Sequence, residues 1–194
     1  MKARGFLIFT LILMVISSTV AFADEPYTSY NYDYWGTPIP APAAYVPSMI
    51  IDGKSLGIEP FNNPSDLITG QDNKVYIADT GNNRIVIIDE NWKLDRIIDK
   101  FVKDGKTDTF KNPRGLFVTQ DGDIYVADTD NARIIHLDSE GNFVREIGAP
   151  ESDILPADFV FRPTALVVDR AKRMYIVAQG VNQGLIELDN KGMF

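Results

Sequence analysis

The side chains able to do chemistry in this chain are few, and their types exclude more than they nominate. Cysteine is absent, so there is no disulfide, no thiolate metal site and no cysteine nucleophile. The single histidine, His136, cannot build a multi-histidine metal cage from this chain alone. No G-x-S-x-G, no H-E-x-x-H and no paired-histidine spacing occurs, and nothing nominates a nucleophile beside a base. The expectation is therefore no catalytic residue, no metal ligand and no cofactor. What recurs is a run of carboxylates and carboxamides, Asp79-Thr80-Gly81-Asn82-Asn83 and Asp128-Thr129-Asp130-Asn131-Ala132. Oxygens of Asp79, Asn82, Asp128, Asp130 and Asn131 could bind a ligand or a hard cation. The same residues cap turns through their own backbone, and the Asp79/Arg84 and Asp128/Arg133 pairs suit bracing of adjacent strands or structural units. A second candidate set is aromatic: Tyr32, Tyr34 and Trp35, suited to stacking on sugar rings or a peptide.

Those residues need elements to position them. Residues 61–98 and 110–147 align without a gap, and sixteen of thirty-eight positions are identical. Pro64, Tyr76, Asp79, Arg84 and Asp89 match Pro113, Tyr125, Asp128, Arg133 and Asp138, at a period of 49 residues. A third copy over residues 161–194 keeps Pro163, Tyr175, Asn182 and Asp189. It has Gln179-Gly180 for Asp-Thr, Gly184 for the arginine, and one extra residue near Val177. Each copy reads as four short strands split by turns. In copy one these are residues 67–69, 75–78, 84–88 and 94–98; in copy two Asp121-Gly122 is a hairpin signal. His136 falls in a third strand, where copy one has Ile87, and reads as a packed or half-exposed residue. Four antiparallel strands at this period describe a propeller blade. No useful window shows helical periodicity. The fold expected is all-β, a β-propeller with about three blades in an incomplete ring.

The pattern P-x-x-L … Y-[IV]-A-D-T-x-N-x-R-I … D resembles the NHL-repeat β-propellers. Copies one and two match it at nearly every signature position, and copy three in part. With the segment before it, the chain is similar to exported Gram-positive proteins in which an NHL propeller precedes a Yip-type membrane domain. The resemblance implies four-stranded blades and, among relatives, lyases and lactonases with metal-dependent sites at the central channel.

The first residues concern location. Lys2 and Arg4 precede an apolar run over residues 5–16, and Ala21-Phe22-Ala23 is a small-x-small cleavage site. Residues 1–23 thus read as a secretory signal peptide, and the protein as secreted or extracytoplasmic and associated with the cell surface. Residues 24–48 form a neck rich in tyrosine and proline, for which an extended polyproline-type path is expected. It reads as a segment shielding a sheet edge, an aromatic platform, or a linker. Residues 49–194 hold the blades. The formal charge of −8 argues against nucleic acid, which needs a basic face. Residues 47–52 read as an orphan fourth strand. The chain is thus expected to be the start of a longer protein or a half-ring completed by a second chain, with open blade faces at both ends that favour self-association. Turns between strands two and three and the linkers 99–112 and 148–160 should share one rim. The function expected is an exported non-catalytic binding or scaffold propeller, its loop-rich face turned to a protein, peptide or glycan. Membrane attachment would come through residues beyond this chain. The alternative is a lyase- or lactonase-type enzyme whose metal site lies partly in missing blades.

Overall fold

A computed structural model describes residues 29–41, 48–152, 155, 158–180 and 185–193. The expected signal peptide, the remainder of the neck, and Asn182 and Gly184 lie outside the described residues. The chain divides into two units between Ile50 and Ile51, and each is described by itself.

In the first unit, β1 (Ser29–Tyr32) pairs antiparallel with β2 (Pro38–Ala41). The neck therefore holds a β-hairpin where a polyproline path was expected. Pro38 and Pro40 stand opposite Tyr32 and Tyr30. Both prolines fall on one side of a two-stranded ribbon, where an edge tolerates a missing N–H. The turn is tied by Asp33, whose Oδ1 accepts from the amides of Trp35 (2.9 Å) and Thr37 (2.8 Å). Gly36 takes φ +79°, a conformation open to glycine.

The second unit begins with a one-turn helix, α1 (Gly53–Leu56). The orphan strand expected over residues 47–52 is not formed among its described residues. Instead Asp52 and Ser55 make a reciprocal capping box, and Gly57 closes the turn in the left-handed region. Three antiparallel sheets follow. Blade 1 runs β3 (Asp66–Thr69), β4 (Val75–Asp79), β5 (Arg84–Ile88) and β6 (Leu94–Ile98). A hairpin, β7 (Lys100–Lys103) and β8 (Lys106–Thr109), then leads to blade 2. Blade 2 runs β9 (Pro113–Val118), β10 (Ile124–Asp128), β11 (Arg133–Leu137) and β12 (Phe143–Ile147). The described part of blade 3 is β13 (Arg162–Val168), β14 (Met174–Gln179) and β15 (Ile186–Leu188). The expected blade strands are met within a residue or two. The linker 99–112, read as a loop, contains the β7–β8 hairpin. Asp104 and Gly105 both take positive φ at its tip, as a two-residue turn requires.

The inner strands β3, β9 and β13 pack side by side, the radial arrangement of a β-propeller. The chain is thus an arc of propeller blades, with no closed ring among the described residues. Every residue of β5, β10 and β11 is buried, because these strands are covered on both faces. One core lies between blades 1 and 2, around Ile85, Ile87, Leu116, Val126 and Ile135. Another lies between blades 2 and 3, around Tyr125, Ile134, Met174 and Ile176. A third forms on the far side of blade 1, where Leu56, Ile51, Ile58 and Phe61 cover Val86 and Ile88. The far side of blade 1 is therefore partly capped by residues 51–61, where an open face was expected.

Register also corrects the reading of copy three. Ala178 stands opposite Pro163 as Asp128 stands opposite Pro113. Ala178 and Gln179 thus occupy the Asp-Thr positions, and the extra residue falls after them and not near Val177.

Candidate functional site

The turn joining the second and third strands is built identically in blades 1 and 2. A single 3-10 turn, Thr80–Asn82 or Thr129–Asn131, ends at a residue in the left-handed region, Asn83 (φ +53°) or Ala132 (φ +56°). Asp79 is fully buried; its Oδ1 accepts from the Asn62 amide at 2.7 Å. Its Oδ2 accepts from Asn82 Nδ2 at 2.8 Å and Arg84 Nε at 2.7 Å. Asp128 repeats this with the Lys111 amide (2.6 Å), Asn131 Nδ2 (2.9 Å) and Arg133 Nε (2.8 Å). Asn82 and Asn131 also donate to the carbonyls of Pro60 and Thr109 in the incoming linkers. Thr80 Oγ1 donates to Pro113 O and Thr129 Oγ1 to Pro163 O, joining each blade to the next. The turns and the linkers thus meet on one rim, as strand parity requires.

This arrangement decides what those side chains can do. Both oxygens of Asp79 and Asp128 are occupied by donors from their own blade and its incoming linker. Asp130 is paired with Arg162 of blade 3. Four of the five candidate rim residues are struts within a blade and its linker, and the fifth joins two blades. Sequence reasoning missed two further members of the network, Asp108 and Glu146, which accept from Arg133 Nη1 at 2.7 and 2.9 Å. Asp108 lies on the unrecognised hairpin; Asp104-Gly105 was the signal that would have found it. Burial pulls the Arg133 pKa down, but Asp108, Asp128 and Glu146 outweigh it and lift it above the usual arginine value. Burial pushes the Asp128 carboxyl up, against the pull of the Lys111 amide, Arg133 and Asn131.

His136 is a packed residue. Its ring stacks on Tyr125, 4.2 Å between centroids and 10° from parallel. Nε2 lies 3.2 Å from Asp123 Oδ2, and Lys172 of blade 3 bonds both Asp121 and Asp123. Burial lowers the His136 pKa from 6.5, with Asp123 opposing. On this opposite rim a concavity of about 530 Å³ is lined by both polar and apolar side chains, among them Gln71, Phe117, Thr119, Asp121, Val168 and Lys172. Among the described residues no group of three His, Asp or Glu side chains could hold a metal ion. The described residues therefore do not fit the metal centre that lyase- and lactonase-type propellers imply.

The aromatic candidates are the ones left free of structural duty within their own unit. Tyr34 is 92% and Trp35 83% exposed at the hairpin tip, with rings 5.5 Å apart at 88°. Tyr30 and Tyr32 form a second edge-to-face pair at 5.6 Å and are also exposed. Tyr34, Trp35 and the β1 pair thus present several ring faces on one short ribbon.

No curated protein matches the chain. Among solved structures it is similar to a Bacteroides caccae protein of unknown function, at 18% identity and a TM-score of 0.52, covering 71% of this chain and 50% of that one. It is similar also to the hydrazine synthase of Kuenenia stuttgartiensis, at 12% identity and a TM-score of 0.52, covering 77% of this chain and 38% of that one. A virginiamycin B lyase from Staphylococcus aureus aligns at 16% identity and a TM-score of 0.46, covering 87% and 47%. The chain thus spans half or less of the length of these structures. The first two likenesses bear on the fold alone, and the third carries no argument. Residues 67–188, more than half of the chain, match the model of the SMP-30/gluconolactonase/LRE-like region. That segment begins in β3 and ends in β15, covering the blades with the struts and turns described above, and the chain belongs to the SMP-30/gluconolactonase/LRE-like propeller family.

Proposed function

We propose that this is an exported, non-catalytic binding propeller of NHL-repeat type, with the aromatic hairpin as its contact element and a glycan or aromatic peptide as its ligand. The observation that carries this reading is the exposure of Tyr34 and Trp35 at a turn tied by Asp33. Trp and Tyr offer large rigid faces at low entropic cost, and such faces stack on sugar rings and peptide planes. The carboxylates of the rim support the reading from the other side, because their lone pairs are taken by backbone, Asn and Arg donors. The leader read over residues 1–23 and the acidic charge favour an extracytoplasmic partner over nucleic acid.

The test is a glycan and peptide array probed with the full chain, followed by tryptophan fluorescence on any hit. Trp35→Ala should weaken binding about tenfold, the scale of one lost aromatic stack with its buried area. An empty array, or a hit that Trp35→Ala binds as well as wild type, overturns the assignment. Family membership favours one other reading, a lactonase or lyase, whose catalytic groups would lie outside the described residues. Turnover of a sugar lactone by the full chain would establish it in place of the binding role.

A further inference from the structure

The two edges of the aromatic hairpin differ. Asp33 N donates to Thr37 O, which makes Asp33 and Thr37 a hydrogen-bonded pair. Along an antiparallel ribbon such pairs alternate with pairs whose backbone groups point outward. Tyr32 and Pro38 are therefore an outward pair, and so are Tyr30 and Pro40. On the β2 edge both outward N–H groups are missing, because both positions are proline. On the β1 edge Tyr30 and Tyr32 present N–H and C=O alike. Both tyrosines are exposed, at 58% and 65%. Sheet edges are ordinarily blunted by proline or by charge. Here proline blunts β2, whereas β1, Ser-Tyr-Asn-Tyr, carries neither a proline nor a charged side chain.

We infer that β1 is a pairing edge and that its occupant is β1 of a second copy of this chain, antiparallel, so that two hairpins join into one four-stranded sheet. The fit of the strand to itself favours this occupant. With the twofold axis at Asn31, Tyr30 of each copy stands opposite Tyr32 of the other, and every outward donor and acceptor of the two tyrosines is used. A register slipped by two residues leaves one tyrosine of each copy opposite a residue outside β1. The tyrosines of both copies share one face at cross-strand distance, where aromatic pairs stabilise a sheet. A lone two-stranded hairpin is marginal in water, and added strands firm it. The proline edges then lie outermost, so pairing stops at two copies and does not run on as a fibre. The inference goes beyond the binding role, because the tip with Tyr34 and Trp35 lies outside the paired strands and stays free.

The chain has no cysteine, so one introduced thiol reports on one position. In the twofold register Asn31 faces its own counterpart in a pair without hydrogen bonds, about 4.5 Å between Cα atoms and within reach of a disulfide. The test is the rate of disulfide-linked dimer formation by full-chain Asn31→Cys in air, read on non-reducing gels and compared with Ile39→Cys. Ile39 is the partner of Asn31 on β2 and is 45% exposed, but its two copies would lie at opposite edges of the sheet. Asn31→Cys should cross-link about tenfold faster than Ile39→Cys, the gain of a held register over chance collision. Adding Tyr30→Pro removes one outward donor from each copy and no bond of the β1–β2 ladder, and should slow cross-linking about tenfold. Adding Tyr30→Thr keeps the donor and should slow it less. Cross-linking by Asn31→Cys no faster than by Ile39→Cys assigns the edge to another occupant and overturns the proposal. So does a rate that Tyr30→Pro leaves unchanged, or one that Tyr30→Thr slows as much, because a contact indifferent to the donor is not strand pairing.

Discussion

Asp128 ties three parts of blade 2 together, because its donors come from the linker at Lys111, the turn at Asn131 and the strand at Arg133. Removing the carboxylate takes one partner from each of these donors, while Arg133 keeps its bonds to Asp108, Glu146 and the Thr109 carbonyl and Asn131 keeps its bond to Thr109. Asp128→Ala should therefore cost about 1–3 kcal/mol by chemical denaturation, while Asp130→Asn, which weakens a more exposed pair, should cost no more than about 1 kcal/mol. Arg133 also holds Asp108 below the ordinary carboxylate range through its hydrogen bond, so that contribution is lost as the pH falls through the depressed value. His136 works higher on the scale. Burial depresses its folded pKa below 6.5, so an unfolded chain binds that proton more readily. Its contribution is present above pH 6.5 and is lost as the pH falls through the folded value. His136→Ile, which installs the side chain of Ile87 in copy one, should flatten the stability profile just below pH 6.5 and leave the lower carboxylate step in place. Urea midpoints in both regions check both parts. At this scale the Asp–Arg pairing was legible because two copies carried it in register. Its extension to Asp108 and Glu146 was not, because a linker without a repeat counterpart supplies one partner.

The same turn device recurs at equivalent positions of the blades and in hairpins elsewhere in the chain. Asp89, Asp138 and Asp189 each accept at Oδ1 from the amides two and four residues on. Asp169 does so between the first two strands of blade 3, and Asp33 does so in the aromatic hairpin. The conserved-looking aspartates of the repeat are therefore turn anchors, which aligned copies alone could not tell from ligand-binding carboxylates. Gly115 has a different duty. A Cβ there would meet Ala165 Cα and Thr164 O at 2.7 Å, both backbone atoms of the neighbouring inner strand. Gly115→Ala should push β9 and β13 apart and cost about 1–3 kcal/mol, seen as a lower urea midpoint at unchanged slope. α1 escaped sequence reading for a physical reason. Ile50 and Ile51 look like strand, but the capping box at Asp52 and Ser55 and the left-handed Gly57 turn the chain before a strand can form.

At the scale of the whole arc, the sequence period located the blades and their strands, since each apolar stretch had a copy to confirm its register. What it left unread were the segments present once: the cap over blade 1, the hairpin before blade 2, and the aromatic ribbon. These single-copy pieces are also where the described chain differs from a plain array of blades. The hairpin between blades 1 and 2 has a consequence of its own. Its tip at Asp104 and Gly105 projects with nothing within 4 Å of where a Gly105 side chain would begin. The strands below it, by contrast, are pinned, with Phe101 near the base stacked on Phe143 and Lys103 beside the tip bonded to Glu146. Foreign sequence such as an epitope, a fluorophore tag or a second recognition peptide can be spliced in at that tip, and the scaffold beneath it would hold the graft at a fixed place while its own packing stays untouched.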